Sequence, residues 1–199
     1  MDGSILPKEI EIEFKNSLTK QQYEGLLSHF NIVPSQIHHQ VNHYFDTPDW
    51  QIKNLQSGLR IRQIGDYYEL TLKEKSAAHT HLETTNELTQ SEAEDFMNNG
   101  VIQAPDVEVR LKALNIVASK LQLFGSLATD RVEIEYEGGL LVLDHSFYLQ
   151  HDDYEVEYEA KEEQQGMVIF DQFLKQHSIE KKVTPKKIAR FMNALHQKG

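Results

Sequence analysis

Period-two alternation dominates this chain, and in one segment after another the polar phase is ionisable rather than merely hydrophilic. Glu9, Glu11, Glu13 and Lys15 alternate with Ile10, Ile12 and Phe14, Arg60 and Arg62 with Leu59 and Ile61, and Glu69, Thr71, Lys73 and Lys75 with Leu70 and Leu72. Glu83, Thr85 and Glu87 share a phase, as do Arg131, Glu133 and Glu135. Glu155, Glu157 and Glu159 alternate with Tyr154, Val156 and Tyr158. Alternation of this kind is the signature of strands, and it predicts them over 9–16, 41–46, 58–64, 67–75, 82–88, 126–137, 139–145 and 153–160. Glu137-Gly138-Gly139 between two of them reads as a tight hairpin turn.

Ser, Thr, Asn and Gln would suffice for a sheet face turned to water, yet these rows hold mostly Glu, Arg and Lys. They are also segregated, with Glu towards the two chain ends and Arg and Lys in the middle. Neighbours on one strand face stand about 6.6–7 Å apart, so a row of glutamates repels itself unless water screens it or a cation sits within it. Two arrangements answer that demand. The charged phase faces bulk solvent, as in an ordinary antiparallel sheet, or the sheet closes with its charges inward around a cation, its apolar phase covered by helices.

Helices are predicted in the gaps. Thr19 caps one whose stripe is Tyr23, Leu26, Leu27 and Phe30, and Ser91 with Glu94 forms a capping box for another that ends near Gly100. A third starts near Pro105 with Val107, Leu111 and Leu114, and a fourth spans 164–177 with Met167, Phe170, Phe173 and Leu174 as its core stripe. The last has Thr184 as N-cap, Pro185 as first residue, and Ile188, Phe191, Met192 and Leu195 on one face. Most strands are joined too briefly for parallel crossovers, so an antiparallel α+β or barrel fold is expected.

A length of 199 residues suits one large domain or two small ones. There is no internal repeat, no low-complexity tract and no apolar run long enough to span a membrane. The beginning, MDGSILPKEIEIEFK, lacks the layout of a secretory signal. The absence of cysteine removes disulfides and thiolate chemistry and fits a reducing compartment, so the cytoplasm is the expected location. A net charge of −11 argues against a nucleic-acid partner but leaves an anionic small substrate open, because a bound divalent cation inverts the local field.

Taken in order, Glu11-Ile12-Glu13-Phe14-Lys15, Tyr44-Phe45-Asp46-Thr47-Pro48-Asp49, Leu59-Arg60-Ile61-Arg62 and Leu70-Thr71-Leu72-Lys73 resemble the CYTH domain of the triphosphate tunnel metalloenzymes. Arg131, Leu143-Asp144, Tyr154-Glu155-Val156-Glu157 and Lys187-Ile188-Ala189-Arg190-Phe191 continue the likeness, which runs from about residue 8 to 195. That family includes thiamine triphosphatases, inorganic triphosphatases and class IV adenylyl cyclases. The resemblance implies one CYTH-like domain over 1–199: a closed eight-stranded antiparallel β-barrel with a polar interior, the triphosphate tunnel, and helices outside. It implies that Glu11 and Glu13 hold Mg²⁺ or Mn²⁺ from one wall and Asp144, Glu155 and Glu157 from the other, with Glu159 an alternative to Glu155. Lys15, Arg60, Arg62, Lys73, Arg131, Lys187 and Arg190 would grip phosphate oxygens. Glu11, Glu13, Lys15 and Glu157 are the expected catalytic set. Lys186 stands where the family often has Ser or Thr.

The chemistry suits the residue types. Arg meets two phosphate oxygens with a planar fork, Lys acts as a compact point charge, and hard divalent cations prefer carboxylates. Phosphoryl transfer is mostly positioning and charge neutralisation; one metal bridging phosphates and a second activating water is the expected arrangement. Metal-dependent hydrolysis of a small triphosphate follows, inorganic triphosphate first, thiamine triphosphate next and a nucleoside triphosphate after it. A class IV-type cyclase and a non-catalytic polyphosphate or nucleotide sensor are the alternatives. Neither a nucleic acid nor a membrane is an expected partner, and the chain is expected as a monomer or homodimer. His38, His39, His43, His79 and His81 read as surface residues, and Tyr44 to Pro48 as a structural strand end.

Overall fold

A computed structural model describes residues 8–196. The strands are β1 (Lys8–Leu18), β2 (His38–Asp46), β3 (Gly58–Ile64), β4 (Tyr67–Lys75), β5 (Thr80–Leu88), β6 (Gln122–Tyr136), β7 (Gly139–Tyr148) and β8 (His151–Ala160). The helices are α1 (Lys20–His29), α2 (Gln51–Asn54), α3 (Gln90–Asn99), α4 (Pro105–Ala113), α5 (Glu163–Gln176) and α6 (Lys187–His196). The strands form a closed antiparallel barrel in the order β1-β5-β4-β3-β2-β6-β7-β8. Contacts divide the described residues into two compact units, one comprising 8–10 and 41–126, the other 11–40 and 127–196.

In the first unit the apolar phase of the strands packs under helices. Phe45, Leu59, Ile61, Leu70 and Leu72 are buried with Phe96 of α3 and Val107 and Leu111 of α4, and the Phe45 and Phe96 rings stack at 4.3 Å. Each such side chain contributes on the order of 1.5–3 kcal/mol on burial. Asp46 serves the fold: its carboxylate accepts from the backbone N–H groups of Thr47, Ile52 and Lys53, which pins the short α2 to the end of β2. Asn86 accepts from the Asp106 and Val107 N–H groups and so orders the start of α4.

The second unit repeats the plan with its own core. Phe14, Leu18, Val132, Leu141, Leu143, Val156 and Tyr158 pack with Tyr23 and Leu26 of α1 and Phe170, Phe173 and Leu174 of α5. The β6–β7 hairpin turns on Glu137 and Gly138, with φ of 47° and 80°, the left-handed pair that matches strand twist. Gly139 follows because a Cβ there would run into the Glu159 carbonyl and the Tyr158 hydroxyl.

Several expectations are corrected. The N-cap of α3 is Thr89, boxed with Glu92, not Ser91 with Glu94; both pairs have the right spacing, but Thr89 directly follows the last residue of β5. Met167 is 45% exposed rather than core. The strand-facing position is taken by Gly166, where a Cβ would strike Ala160 and Phe14. The last helix begins at Lys187, so Thr184 does not cap it; the Thr184 hydroxyl instead accepts from the Ser17 N–H at 2.8 Å. The Leu195 side chain expected on that helix lies outside the described residues. His81 is buried, 4% exposed, because β5 starts two residues earlier than predicted and takes it into the strand. Likewise β2 begins at His38 and β6 at Gln122.

Candidate functional site

In the second unit, strand register decides which charges meet. The β7–β8 ladder sets Asp144 opposite Glu155, the β6–β7 ladder sets Arg131 opposite Asp144, and the β1–β8 ladder sets Lys15 opposite Glu157 and Glu13 opposite Glu159. Asp144, Glu155 and Glu157 are buried. Carboxylate oxygens of these three all lie within 4.8 Å of one another.

Cations are interleaved with them. Arg131 grips Asp144 with its fork, Nε donating at 2.9 Å and Nη2 at 2.6 Å, and reaches Glu157 Oε2 at 3.0 Å. Lys15 Nζ stands 2.5 Å from Glu13 and 3.0 Å from Glu157. From α6, Lys187 Nζ lies 2.6 Å from Asp144 and 2.9 Å from Glu157, and also pairs with Glu155. Arg190 donates to both oxygens of Asp153, at 2.8 and 2.9 Å, and its Nη1 is 2.7 Å from Glu155.

Burial and charge pull these groups in different directions. Burial alone would raise the Asp144 and Glu157 carboxyls, but the adjacent cations outweigh it: Arg131 and Lys187 hold Asp144 down, and Lys15, Lys187 and Arg131 hold Glu157 well below the usual range. Lys15, Arg131 and Lys187 are held above their ordinary values by these carboxylates, against their own desolvation. Glu155 is pushed up by burial. Glu159 is pushed up to about 7, first by burial and then by Glu11, Glu157 and Glu13, against the pull of Arg131. Three dry carboxylates converging without His or Cys form a hard, all-oxygen donor set, which fits Mg²⁺ or Mn²⁺. The convergent trio is Asp144, Glu155 and Glu157. Glu159 stands opposite Glu13 in the β1–β8 ladder and feels the charges of Glu11, Glu157 and Glu13.

The first unit carries a separate charged row on the strand face opposite its helices. Arg60 pairs in register with Thr71, Arg62 with Glu69, and Lys73 with Glu83. Lys73 Nζ is 3.3 Å from Glu83 and Arg62 Nη1 is 3.6 Å from Glu69, while Arg62 Nε donates to Asn42 at 3.2 Å. Burial raises the Glu83 carboxyl, but Arg60, Lys73 and Arg62 together bring it below its ordinary value. The rows are dry only in part. Glu9, Lys75, Glu87, Glu133 and Glu135 are exposed, and Lys75 donates to the Ala78 carbonyl.

Three residues escaped the sequence reading. In the sequence Glu83 shows only strand patterning, and its partnership with Lys73 comes from register. Asp153 clamps Arg190. Asn16, buried on the apolar phase, accepts from the Lys182 N–H at 2.6 Å and donates to the Glu180 carbonyl at 3.0 Å, fixing the segment that leads to α6. A buried amide in the phase of Phe14 and Leu18 was the one available signal for it.

The family model for the CYTH domain matches residues 9–192. YjbK of Bacillus subtilis (strain 168), provisionally named a triphosphatase, is 44% identical over 186 residues, covering 94% of this chain and 96% of YjbK. The crystal structure of a provisionally named adenylate cyclase from Bacillus halodurans is 40% identical with a TM-score of 0.89, over 92% of this chain and 98% of that one. HpAC1 from Hippeastrum, provisionally an adenylyl cyclase and described as having a dominant triphosphatase activity, shares the fold at 22% identity and a TM-score of 0.75, over 94% of this chain and 96% of its own. With its whole charged-strand framework inside the matched span, the chain belongs to the CYTH domain family.

Proposed function

We propose that this chain is a divalent-metal-dependent triphosphatase that hydrolyses a small-molecule triphosphate, with inorganic triphosphate the favoured substrate and thiamine triphosphate next. The observation that carries this reading is the buried Asp144–Glu155–Glu157 trio threaded with Lys15, Arg131 and Lys187. A site built only to bind anions has no use for so many desolvated carboxylates, whereas one that takes metal and phosphate together needs both signs of charge. The kinship with YjbK supports the same reading.

Asp144, Glu155 and Glu157 would hold Mg²⁺ or Mn²⁺, with Glu11, Glu13 and Glu159 as the further acidic group. When bound, the metal supplies Lewis-acid stabilisation of phosphoryl oxygens. Arg131 and Lys15 are prepositioned by the carboxylates they touch, so phosphate meets cations already ordered and partly desolvated. Lys187 and Arg190 are the further candidate phosphate ligands of this unit, and the family resemblance makes Arg60, Arg62 and Lys73, on the charged row of the first unit, candidate phosphate ligands as well. Glu13, beside Lys15, orients that ammonium. We read the chain as one CYTH-like domain acting in the cytoplasm.

A class IV-type cyclase is the competing reading, favoured by the name of the Bacillus halodurans relative. Incubation with inorganic triphosphate, thiamine triphosphate and ATP, each with Mg²⁺ or Mn²⁺, separates the readings by product. Orthophosphate supports the hydrolase and cyclic AMP from ATP supports the cyclase. Tight binding without turnover over a metal and pH screen supports a sensor and overturns both enzymes.

A further inference from the structure

We propose that the Lys187 ammonium is a resident counter-ion of the metal-binding carboxylates, and that a divalent cation binds by exchanging with it. This rests on the metal reading above and adds the order of events at that site. Lys187 Nζ pairs with Asp144, Glu155 and Glu157, the same three whose oxygens converge within 4.8 Å. An ammonium has three N–H donors; this one donates to Glu155 and Glu157 and pairs with Asp144. It therefore stands where a small cation would stand, and an oxygen lone pair given to the ammonium is not given to a metal.

The other cations of the unit do not share that position. Arg131 is planted on Asp144 by its fork and touches Glu157 from the side of β6. Lys15 pairs with Glu13 and Glu157, and Arg190 forks onto Asp153 and touches one member of the trio, Glu155.

The side chain is able to leave without the helix. Phe191 and Met192 of α6 are buried, Arg190 clamps Asp153 while also donating to the Pro185 carbonyl at 2.7 Å, and Asn16 holds the preceding segment. The backbone at Lys187 is thus anchored on both sides, while its flexible four-carbon stem lets a compact charge relocate. Displacement by metal would turn a carboxylate counter-ion into an ammonium open to an anion. Metal loading thereby precedes and prepares phosphate binding.

Isothermal titration of Mn²⁺ into the full-length protein tests this, with Lys187→Met against wild type and Arg190→Met as the control for simple loss of positive charge. Lys187→Met is expected to lower the Mn²⁺ dissociation constant about ten-fold, equivalent to ~1.4 kcal/mol, and Arg190→Met to lower it by much less. Equal or weaker binding by Lys187→Met, or an equal gain in Arg190→Met, overturns the exchange. A measurement on the wild type guards against a variant that fails to fold: amine acylation read by mass spectrometry. Modification of Lys187 relative to the exposed Lys181 should rise on adding Mn²⁺, and a constant or falling ratio rejects the proposal. Binding of Mn²⁺ by wild type and Lys187→Met with one affinity removes the exchange alone. Failure of both to bind Mn²⁺ removes the metal reading as well.

Discussion

Replacing Arg131 by Met isolates what the interleaved charges do for the fold. The Arg131 side chain is 12% exposed, between Asp144 at 0% and Glu157 at 4%, and it makes three hydrogen bonds of 2.9, 2.6 and 3.0 Å to them. Met keeps much of the stem volume but strands two desolvated carboxylates. Removing one partner of a buried ion pair costs about 3–5 kcal/mol. Lys187 still faces Asp144, and Lys15 and Lys187 still face Glu157, so the loss should sit near the lower end, about 3 kcal/mol. At ~2–4 °C per kcal/mol for a chain of this size, the melting temperature should fall by roughly 6–12 °C.

The pH dependence has a definite sign. Burial raises Asp144, but Arg131 and Lys187 bring its folded pKa below the ordinary 3.8. Its contribution is therefore present above that value and is lost as pH falls through the folded pKa. The deficit of Arg131→Met should be full at pH 7 and shrink below about pH 4. Calorimetry and urea titration followed by circular dichroism, both in EDTA, measure it. The double variant Arg131→Met/Asp144→Leu should recover part of the loss, since no charge at position 144 is then left unpaired. A single variant within about 1 kcal/mol of wild type at pH 7, below the cost of a stranded buried charge, would refute the reasoning. So would a deficit as large at pH 3.5 as at pH 7.

Glu13→Gln and Lys15→Ala should each lower triphosphatase turnover at least about a hundred-fold while the circular dichroism spectrum is retained; wild-type rates in both would reject these site assignments. EDTA should abolish turnover and excess Mg²⁺ or Mn²⁺ restore it, and activity that persists in chelator would remove the metal from the proposal. Glu83, raised by burial but brought below its ordinary 4.5 by Arg60 and Lys73, contributes stability above that pH which is lost as pH falls. Glu83→Gln should accordingly soften the acid limb of the stability profile, and an unchanged limb argues against the pairing. Thr89→Ala should cost about 1 kcal/mol by loss of the α3 cap, and Ser91→Ala less than ~0.5; the reverse ranking in thermal melts would move the cap.

The strands were legible because alternation is a property of neighbours in sequence, and their charged phases could be read residue by residue. Which charges meet was not, since Arg131–Asp144 and Lys15–Glu157 depend on register between strands far apart in the chain. The short α2 has no periodicity to reveal it; it is held by its Ile52 and Lys53 N–H groups, which donate to the Asp46 carboxylate. The cap of α3 was ambiguous for a local reason: Thr89-x-x-Glu92 and Ser91-x-x-Glu94 satisfy the same rule. Met167 misleads because the helical stripe is drawn by side-chain size, whereas α5 meets Ala160 and Phe14 at Gly166, where any Cβ would strike them. Asn16 shows the limit most clearly, since its partners Glu180 and Lys182 come from the other end of the sequence.

Leu59 and Leu72 in the first unit, Leu141 and Val156 in the second, and their neighbours bury one face of the strands against the helices, so adhesion sits on one side of a strand and the ion pairs on the other. Replacing an ion pair whole, both partners together, therefore leaves the adhesive intact and strands no buried charge. A wall of this kind can change its pattern of charge without being rebuilt.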